Sequence, residues 1–210
     1  MWGDYAKRLC RLSSGCRLGK RLFTERVAYY CHVMPDDDAV RARVAEALRF
    51  VNGHADVWRL FDDATLFSAV VDGLVAPYRD GGITKVAGIE SRGFILGGAC
   101  ALRLGAGFVA IRKAEGLFPG EKLSVLAHAD YRGNAHLLRI QVASLKVGDR
   151  VLVVDDWCET GSQAAAAKSL IERAGAEFIG LSCIVDQAAE GVRKRLGDYR
   201  WLVKAPHARG

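Results

Sequence analysis

The amino-acid sequence predicts an α/β fold in which helices flank a parallel sheet. Strand-like and helical segments alternate from about residue 85 to residue 203, and the strand-like segments are short, apolar and rich in β-branched residues, as in VLVV at 151–154. Such strands are typical of sheets that are buried on both faces. Apolar residues at helical spacing, such as Leu66, Val70 and Leu74, indicate helices that cover the sheet.

Two helices are predicted before the alternation begins. Three acidic residues follow Pro35 and favour the positive end of a helix dipole, so the first helix extends from there to about residue 50 and is broken at 51–54. The second helix covers 62–78. The later elements are a strand at 85–89, a helix at 93–104, a strand at 108–111, antiparallel strands at 124–127 and 136–142, a strand at 151–154, a helix at 161–174, a strand at 178–185, a short helix, and a strand near 201–203.

Composition bounds the location and the partners of the protein. The chain has 210 residues, no apolar run of about 20 residues and six cysteines without zinc-ligand spacing. We therefore expect a cytoplasmic protein with no membrane partner. The net charge is +6, and residues 1–34 carry seven basic side chains against Asp4 and Glu25, which gives +5 for that segment. This segment is interpreted as a solvated basic face, with a nucleic-acid or acidic partner as the alternative.

The sequence after the strand at 151–154 has the chemistry of a phosphorylated-sugar site. Two carboxylates, Asp155 and Asp156, accept hydrogen bonds from sugar hydroxyls. The residues that follow place backbone amides at a helix N-terminus, which favours a phosphate: Thr160, Gly161, Ser162 and Gln163. The alternative is an ordinary loop with acidic capping residues.

Two further loops lie at the carboxyl ends of predicted strands, where ligands bind in parallel sheets. Glu90-Ser91-Arg92 follows the strand at 85–89, and Arg112-Lys113 follows the strand at 108–111. Because Arg92 stands at a helix start, where a cation is unfavourable, it indicates an anionic ligand. Together the three loops predict a ligand with several phosphate groups.

The motif VLVVDDWCETGSQ resembles the phosphoribosyl pyrophosphate signature of the type I phosphoribosyltransferases. The segments GIESRGF and AIRKAEGLFPGEK resemble the adenine phosphoribosyltransferases, and the resemblance extends from about residue 62 to residue 185. It implies a base-contacting hood before the core and a flexible β-hairpin lid. We therefore predict a basic segment and hood at 1–61, and a phosphoribosyltransferase core at 62–210 with its lid at 114–140.

The resemblance implies a role for each matched residue. Asp155 and Asp156 would hold the ribose hydroxyls, and the amides of residues 160–163 would bind the 5′-phosphate. The pyrophosphate would be held by Ser91, Arg92 and Lys113, with Mg²⁺ coordinated mainly by substrate oxygens and water. In this family the peptide before Ser91 is often cis.

The lid and the signature differ from the adenine enzymes in acidic residues. Where those enzymes carry a Glu-Tyr pair, this chain has Asp130 and Tyr131, so Asp130 is a candidate for contact with the ribose or the base. Glu159 replaces a small residue and occupies the place of an acid in the hypoxanthine-guanine enzymes. We expect Glu159 to act either as a general base on the ring nitrogen of the base or as an exposed loop residue.

Base selection is assigned to the hood and to one aromatic residue. The hood segment keeps only Asp56 of the adenine-type pattern, and Asn52 to Asp56 resembles a run in xanthine phosphoribosyltransferases. The Asn52 amide is able to read a 6-amino or a 6-oxo edge. Trp157 is expected either to stack on the base or to pack in the core.

Two functions follow from the resemblance. The first is an enzyme that transfers a phosphoribosyl group from phosphoribosyl pyrophosphate to a purine base, with adenine preferred and a 6-oxopurine as the alternative. The second is a phosphoribosyl pyrophosphate-sensing regulator whose basic residues 1–34 contact nucleic acid. The lid favours the enzyme, because a sensor has no need to exclude water. The family also implies a homodimer.

Overall fold

A computed structural model describes residues 37–51, 54–113, 117–128 and 135–205 of the chain. All of them belong to one compact unit, residues 35–210. The predicted basic segment 1–34 therefore lies outside the described residues. The helices are α1 (Asp37–Ala47), α2 (Ala64–Val75), α3 (Arg92–Leu104), α4 (Ser162–Arg173) and α5 (Glu190–Leu196). The strands are β1 (Arg49–Val51), β2 (His54–Asp56), β3 (Lys85–Ile89), β4 (Gly107–Lys113), β5 (Lys122–Leu126), β6 (Leu137–Gln141), β7 (Arg150–Cys158), β8 (Glu177–Asp186) and β9 (Tyr199–Lys204).

Seven of these strands form one sheet, in the order β5-β6-β4-β3-β7-β8-β9. The pairs from β4 to β9 are parallel, which confirms the predicted α/β fold. The predicted hairpin β5–β6 is antiparallel and joins the sheet at the β4 edge, where Arg112 lies opposite Arg139. The order β4-β3-β7 places three successive carboxyl ends side by side at one edge of the sheet.

Helices cover both faces of the sheet, as the apolar strands predict. On one face, Leu170 and Ile171 of α4 join a core cluster with Val151 and Val153 of β7. On the other face, Leu96 of α3 packs in a cluster with the alternating β7 residues Leu152 and Val154 and with residues of α1 and α2. This alternation follows from the two-residue period of a strand. Both faces of the sheet are therefore buried below the edge that carries the loops.

The first helix was predicted to extend to about residue 50, and this is wrong. Helix α1 ends at Ala47, and β1 pairs with β2 in a separate two-stranded antiparallel sheet in which Val51 lies opposite His54. The sequence signal that predicts this hairpin is Asn52-Gly53, the dipeptide typical of two-residue hairpin loops. The predicted helix break at 51–54 therefore coincides with the end of β1 and the start of β2.

The second helix is also shorter than the predicted 62–78. Asp63 caps α2 by accepting a hydrogen bond from the Leu66 amide at 2.6 Å. The helix ends at Val75, and Ala76–Tyr78 continues as a 3₁₀ turn. Pro77 explains this end, because proline lacks the amide that an α-helix needs. The cap and the proline thus set the two ends.

Candidate functional site

The acid pair lies at the carboxyl end of β7. Asp156 is buried, Asp155 is partly buried, and the Asp156 amide donates to Asp155 Oδ1 at 3.0 Å. The sequence placed both residues in a loop after Val154, and this is wrong, because β7 pairs with β8 as far as Cys158 and Asp186. The sheet itself therefore fixes the two carboxylates.

The environment of Asp155 changes its protonation. Burial and the neighbouring Asp156 charge raise the pKa of Asp155 well above its usual range, and the Lys113 charge opposes them in part. Burial also raises the pKa of the adjacent Cys158 thiol to about 11. At neutral pH that thiol is protonated and is a poor nucleophile. The chemistry of this edge is therefore hydrogen bonding by carboxyl groups, not thiolate attack.

A three-residue turn, residues 159–161, connects the end of β7 to helix α4. Gly161 occupies the N-cap position with a positive φ of 69°, and α4 begins at Ser162. The Ser162 amide donates to Thr160 Oγ1 at 3.3 Å, and the Thr160 and Ser162 hydroxyl oxygens are 3.1 Å apart. The first amides of a helix have no acceptor within the helix. The predicted anion site at residues 160–163 therefore has the expected backbone arrangement, with Gln163 in its first turn.

Gly161 is held by two independent constraints. Its positive φ disfavours residues with a Cβ, and a Cβ added there would lie 2.2 Å from Cγ1 of Val192 in α5. Helix α5 thus packs directly behind the turn. Only glycine fits this turn without displacing either the turn or the helix.

The second loop brings α3 close against the sheet. A Cβ at Gly88 of β3 would lie 2.0 Å from the carbonyl oxygen of Gly93, so this approach requires glycine. The peptide bond between Glu90 and Ser91 is cis, as the family resemblance implies. Ser91 is the N-cap of α3. A Cβ added at Gly93 would lie 3.0 Å from Asp155 Oδ1, so this turn lies beside the acid pair.

Arg92 and Asp156 form an ion pair across the site. Arg92 Nε lies 2.6 Å from Asp156 Oδ2, and the Arg92 side chain is 39% exposed while that of Asp156 is 7% exposed. The sequence assigned the two residues to different parts of a ligand. The structure places them in contact with each other, which holds both side chains at the same edge.

The third loop is tied to the second by Glu90. Its carboxylate accepts a hydrogen bond from Arg112 Nη2 at 3.1 Å and another from the Lys113 amide at 2.9 Å. Burial alone would raise the pKa of Glu90, but the hydrogen bonds and charges of Arg112 and Lys113 outweigh it and lower the pKa. Arg112 also donates to the Leu117 carbonyl at 2.8 Å, at the start of the predicted lid. Of the two predicted cations Arg112 and Lys113, Arg112 therefore donates to protein groups, namely the Glu90 carboxylate and the Leu117 carbonyl.

The remaining predicted residues divide into two groups. Glu159 lies partly buried in the turn before α4. Trp157 is partly buried against the core, and its indole donates to Gln187 Oε1 at 3.1 Å, so the packing role that the sequence left open has a physical basis. Asn52 and Asp130 lie outside the described residues.

Sequence reasoning missed a buried network behind the turn at residues 159–161. Asp186, at the end of β8, is fully buried and accepts hydrogen bonds from Tyr199 Oη at 2.8 Å and from the Ala188 amide at 3.0 Å. Arg193 of α5 lies 2.7 Å from Asp186 Oδ2. This network anchors the helix that supports Gly161. The available signal was an aspartate directly after an apolar strand, as at Asp155.

Sequence reasoning also missed Trp58. This side chain is 50% exposed, and its ring centroid lies 6.0 Å from the guanidinium carbon of Arg92.

Neither a metal-binding cluster of three or more side chains nor a membrane-spanning helix is found among the described residues. Among those residues, no group of three or more His, Cys, Asp or Glu side chains is arranged to hold a metal ion. In the same part of the chain, no helix has the length and apolar character needed to cross a membrane.

Comparison with known proteins agrees with this geometry. The family model described as a phosphoribosyl transferase domain matches residues 61–207. The adenine phosphoribosyltransferase of Acidothermus cellulolyticus is 45% identical over 141 residues, which cover 67% of this chain and 78% of that protein. The corresponding protein of Methylorubrum populi is 43% identical over 143 residues, 68% of this chain and 77% of that protein.

Solved structures show the same similarity. The adenine phosphoribosyltransferase from Rhodothermus marinus has a TM-score of 0.72 and 32% identity, and the match covers 80% of this chain and 99% of that chain. The APRTase from Giardia lamblia, complexed with 9-deazaadenine, has the same TM-score and identity and covers 80% of this chain and 98% of that chain. The chain belongs to the type I phosphoribosyltransferase family, and these relatives are adenine phosphoribosyltransferases.

Proposed function

We propose that this protein transfers the 5-phosphoribosyl group of phosphoribosyl pyrophosphate to adenine, giving the nucleoside 5′-monophosphate and pyrophosphate. One observation carries the proposal: the Asp155–Asp156 pair lies at the carboxyl end of the buried strand β7, and only three residues separate the last residue of that strand, Cys158, from the start of α4 at Ser162. A sugar hydroxyl pair and a 5′-phosphate are the groups that these two features bind. The family relationship supports the same activity.

The reaction is a displacement at the anomeric carbon of the ribose. The bond to pyrophosphate breaks, positive charge develops on the sugar, and a ring nitrogen of the base forms the new bond. The protein contributes by positioning the partners, by stabilising the departing charge and by excluding water. We assign the ribose hydroxyls to Asp155 and Asp156, and the 5′-phosphate to the amides of residues 160–163.

The pyrophosphate is assigned to the second and third loops. Ser91 and Arg92 stand at the start of α3, and Lys113 ends the neighbouring strand β4. For Arg92 to bind the pyrophosphate, its ion pair with Asp156 is opened or shared, which also releases Asp156 for the sugar. The ligand thus replaces an internal contact with two new ones.

The donor atoms at this edge fit Mg²⁺ brought by the substrate. Mg²⁺ prefers one or two carboxylates together with phosphate oxygens and water, and Asp155 and Asp156 supply such carboxylates. When it is bound, Mg²⁺ neutralises charge on the pyrophosphate. We propose that the substrate and water supply most of its ligands.

Proton transfer and base contact are assigned to residues near the turn and the lid. We propose that Glu159, in the turn between β7 and α4, accepts the proton of the attacking ring nitrogen. Asn52 is proposed to contact the base and Asp130 to contact the ribose or the base from the lid, whereas Trp157 packs against the core and donates to Gln187. We propose that the part of the predicted lid 114–140 that lies outside β5 and β6, the two strands paired in the sheet, closes to exclude water from the activated sugar.

We propose that the protein is a homodimer in a reducing, cytoplasmic compartment. Large apolar side chains are exposed on α3 and the adjacent β4, namely Ile95, Leu102 and Phe108, and an exposed apolar surface of this kind favours association. A reducing compartment keeps the buried Cys100 and Cys183 as thiols. Light scattering during size-exclusion chromatography should give twice the chain mass of 22.8 kDa; a monomer at micromolar concentration contradicts the dimer.

A panel of free bases tests the proposed activity. The protein is mixed with phosphoribosyl pyrophosphate and Mg²⁺, and pyrophosphate release is followed with adenine, hypoxanthine, guanine or xanthine. We expect release with adenine. Release with a 6-oxopurine alone would instead assign the enzyme to that substrate class. No release with any base, combined with a mobility shift of DNA that weakens with salt, would support the regulator.

A further inference from the structure

Trp58 is an exposed aromatic residue in a turn whose other apolar residues are buried. It lies in the 3₁₀ turn Val57–Leu60, where Val57 and Leu60 are almost completely buried while Trp58 is 50% exposed. Its ring meets Phe61 edge-on, with 5.8 Å between centroids and an interplanar angle of 85°. Phe61 in turn contacts Phe67 of α2 at 5.5 Å. The indole orientation is therefore fixed although much of the ring is exposed.

The exposed ring faces a cation of the proposed pyrophosphate site. The guanidinium carbon of Arg92 lies 6.0 Å from the Trp58 ring centroid, within the range of a cation–π contact. The same guanidinium donates through Nε to Asp156 Oδ2 at 2.6 Å. Arg92 is thus held by an aromatic ring and by a carboxylate.

These two contacts use different parts of the guanidinium. A carboxylate or a phosphate binds the N–H groups, which lie in the guanidinium plane. A cation–π contact uses the positive charge over a ring face and needs none of those N–H groups. Asp156 therefore competes with a pyrophosphate for Arg92, whereas Trp58 does not.

We infer that Trp58 is a positioning residue that holds Arg92 in place for the pyrophosphate once the ligand has displaced Asp156. The inference rests on the proposed function, because it concerns the Arg92 contact of that site. A long arginine side chain loses rotamer freedom when it binds a ligand, and a partner that restrains it beforehand lowers this cost. Trp58 is such a partner, and it remains in contact when the ion pair opens.

Binding of Mg²⁺–pyrophosphate, measured by isothermal titration calorimetry, tests the inference. Trp58→Leu removes the aromatic face, and we expect the dissociation constant to rise about three- to tenfold, the effect of one partly exposed cation–π contact. Binding of ribose 5-phosphate, which has no pyrophosphate, should be unchanged. In steady-state assays, KM for phosphoribosyl pyrophosphate should rise by a similar factor while KM for adenine is unchanged.

Two further variants identify Arg92 as the target of Trp58. In an Arg92→Ala background, Trp58→Leu should cause no additional loss of pyrophosphate binding, because the partner is already gone. Trp58→Phe keeps a weaker aromatic face, and its affinity should lie between those of the wild type and the leucine variant. The phenylalanine variant also keeps the test available if the leucine variant fails to fold.

Arg59→Ala is the matched control. Arg59 is on the same turn, its side chain is 66% exposed, and it forms an ion pair with Asp56. Because Arg59 does not hold Arg92, this variant should bind pyrophosphate as the wild type does. The inference is overturned if Trp58→Leu binds pyrophosphate normally, if it loses ribose 5-phosphate equally, or if its effect persists in Arg92→Ala. A wild type that binds neither pyrophosphate nor phosphoribosyl pyrophosphate overturns the proposed function as well.

Discussion

Replacing Gly161 by alanine tests the geometry of the turn at residues 159–161, which we propose to bind the 5′-phosphate. Gly161 has a φ of 69°, and an alanine in this left-handed conformation costs about 1–2 kcal/mol. The new Cβ would lie 2.2 Å from Val192 Cγ1, whereas carbon atoms normally approach to about 3.5–4.0 Å. Relieving this overlap costs about 1–3 kcal/mol more. We therefore expect Gly161→Ala to lower the free energy of unfolding by about 2–5 kcal/mol.

A second substitution separates the two contributions. Val192→Ala removes two buried methyl groups and by itself should cost about 1.5–2.5 kcal/mol. In the double variant the new Cβ would lie 3.5 Å from the Cβ of residue 192, an ordinary contact. The overlap is then absent, and only the backbone cost and the loss of the methyl groups remain. The double variant should thus be about 1–3 kcal/mol more stable than the sum of the single changes predicts.

Urea denaturation of the four proteins measures these energies, and calorimetric titration with ribose 5-phosphate measures the consequence for the site. Gly161→Ala should weaken ribose 5-phosphate binding at least tenfold, because the turn moves and carries the amides of residues 160–163 with it. The double variant should recover part of that affinity. Strictly additive unfolding energies, or wild-type affinity in Gly161→Ala, would refute the argument that the turn is confined between its own backbone and α5.

The remaining predictions concern three carboxylates. Because the pKa of Asp155 is raised, its contribution to stability is present at low pH and is lost as the pH rises through the folded-state pKa. Asp155→Asn should therefore raise the melting temperature at pH 8 by a few degrees and remove this pH-dependent loss of stability. Thermal unfolding measured as a function of pH tests both effects. Glu90 has the opposite sign, because its lowered pKa gives stability above the unfolded-state value of about 4.3 that is lost in acid. Glu90→Gln should cost about 0.5–2 kcal/mol at pH 7 in urea denaturation and progressively less toward pH 3, and an equal cost at both pH values would contradict the assigned contacts. Glu159→Gln should lower kcat about 10²- to 10⁴-fold with no loss of stability if Glu159 is the general base, and an unchanged kcat would leave it as a loop residue.

The chemistry of the site could be read from local sequence. The residues that we propose to bind a phosphorylated sugar all lie within 155–163, and their interpretation depends only on a strand that leads into a helix. The same local pattern predicted the turn at Ser91. The predicted parallel sheet followed from apolar β-branched runs, which the structure confirms. These features need no knowledge of distant contacts.

The boundaries of elements depended on pairing that local sequence does not show. Charged residues at the end of β7 indicated a loop, but hydrogen bonding to β8 extends the strand through the acid pair. Helix propensity extended α1 too far, although Asn52-Gly53 carried a hairpin signal. In both places tertiary or cross-strand pairing outweighed the preference of single residues.

The contacts between residues of the site could not be predicted from the sequence, for a different reason. Arg92 and Asp156 are 64 positions apart, and each was assigned to a ligand, whereas the folded chain pairs them with each other. Trp58 could not be distinguished from its buried neighbours Val57 and Leu60, because exposure is a property of the assembled hood and core. Such long-range arrangements are visible only in the structure.

The most direct test of the central claim is calorimetric titration of phosphoribosyl pyrophosphate, with Mg²⁺, into the wild type and into the Asp155→Asn/Asp156→Asn variant. We expect saturable binding at one site per chain by the wild type. We expect at least a hundredfold loss of affinity in the variant, whose thermal unfolding remains cooperative. A folded double variant that binds the sugar phosphate and turns it over like the wild type would contradict the assignment of the ribose hydroxyls to this acid pair.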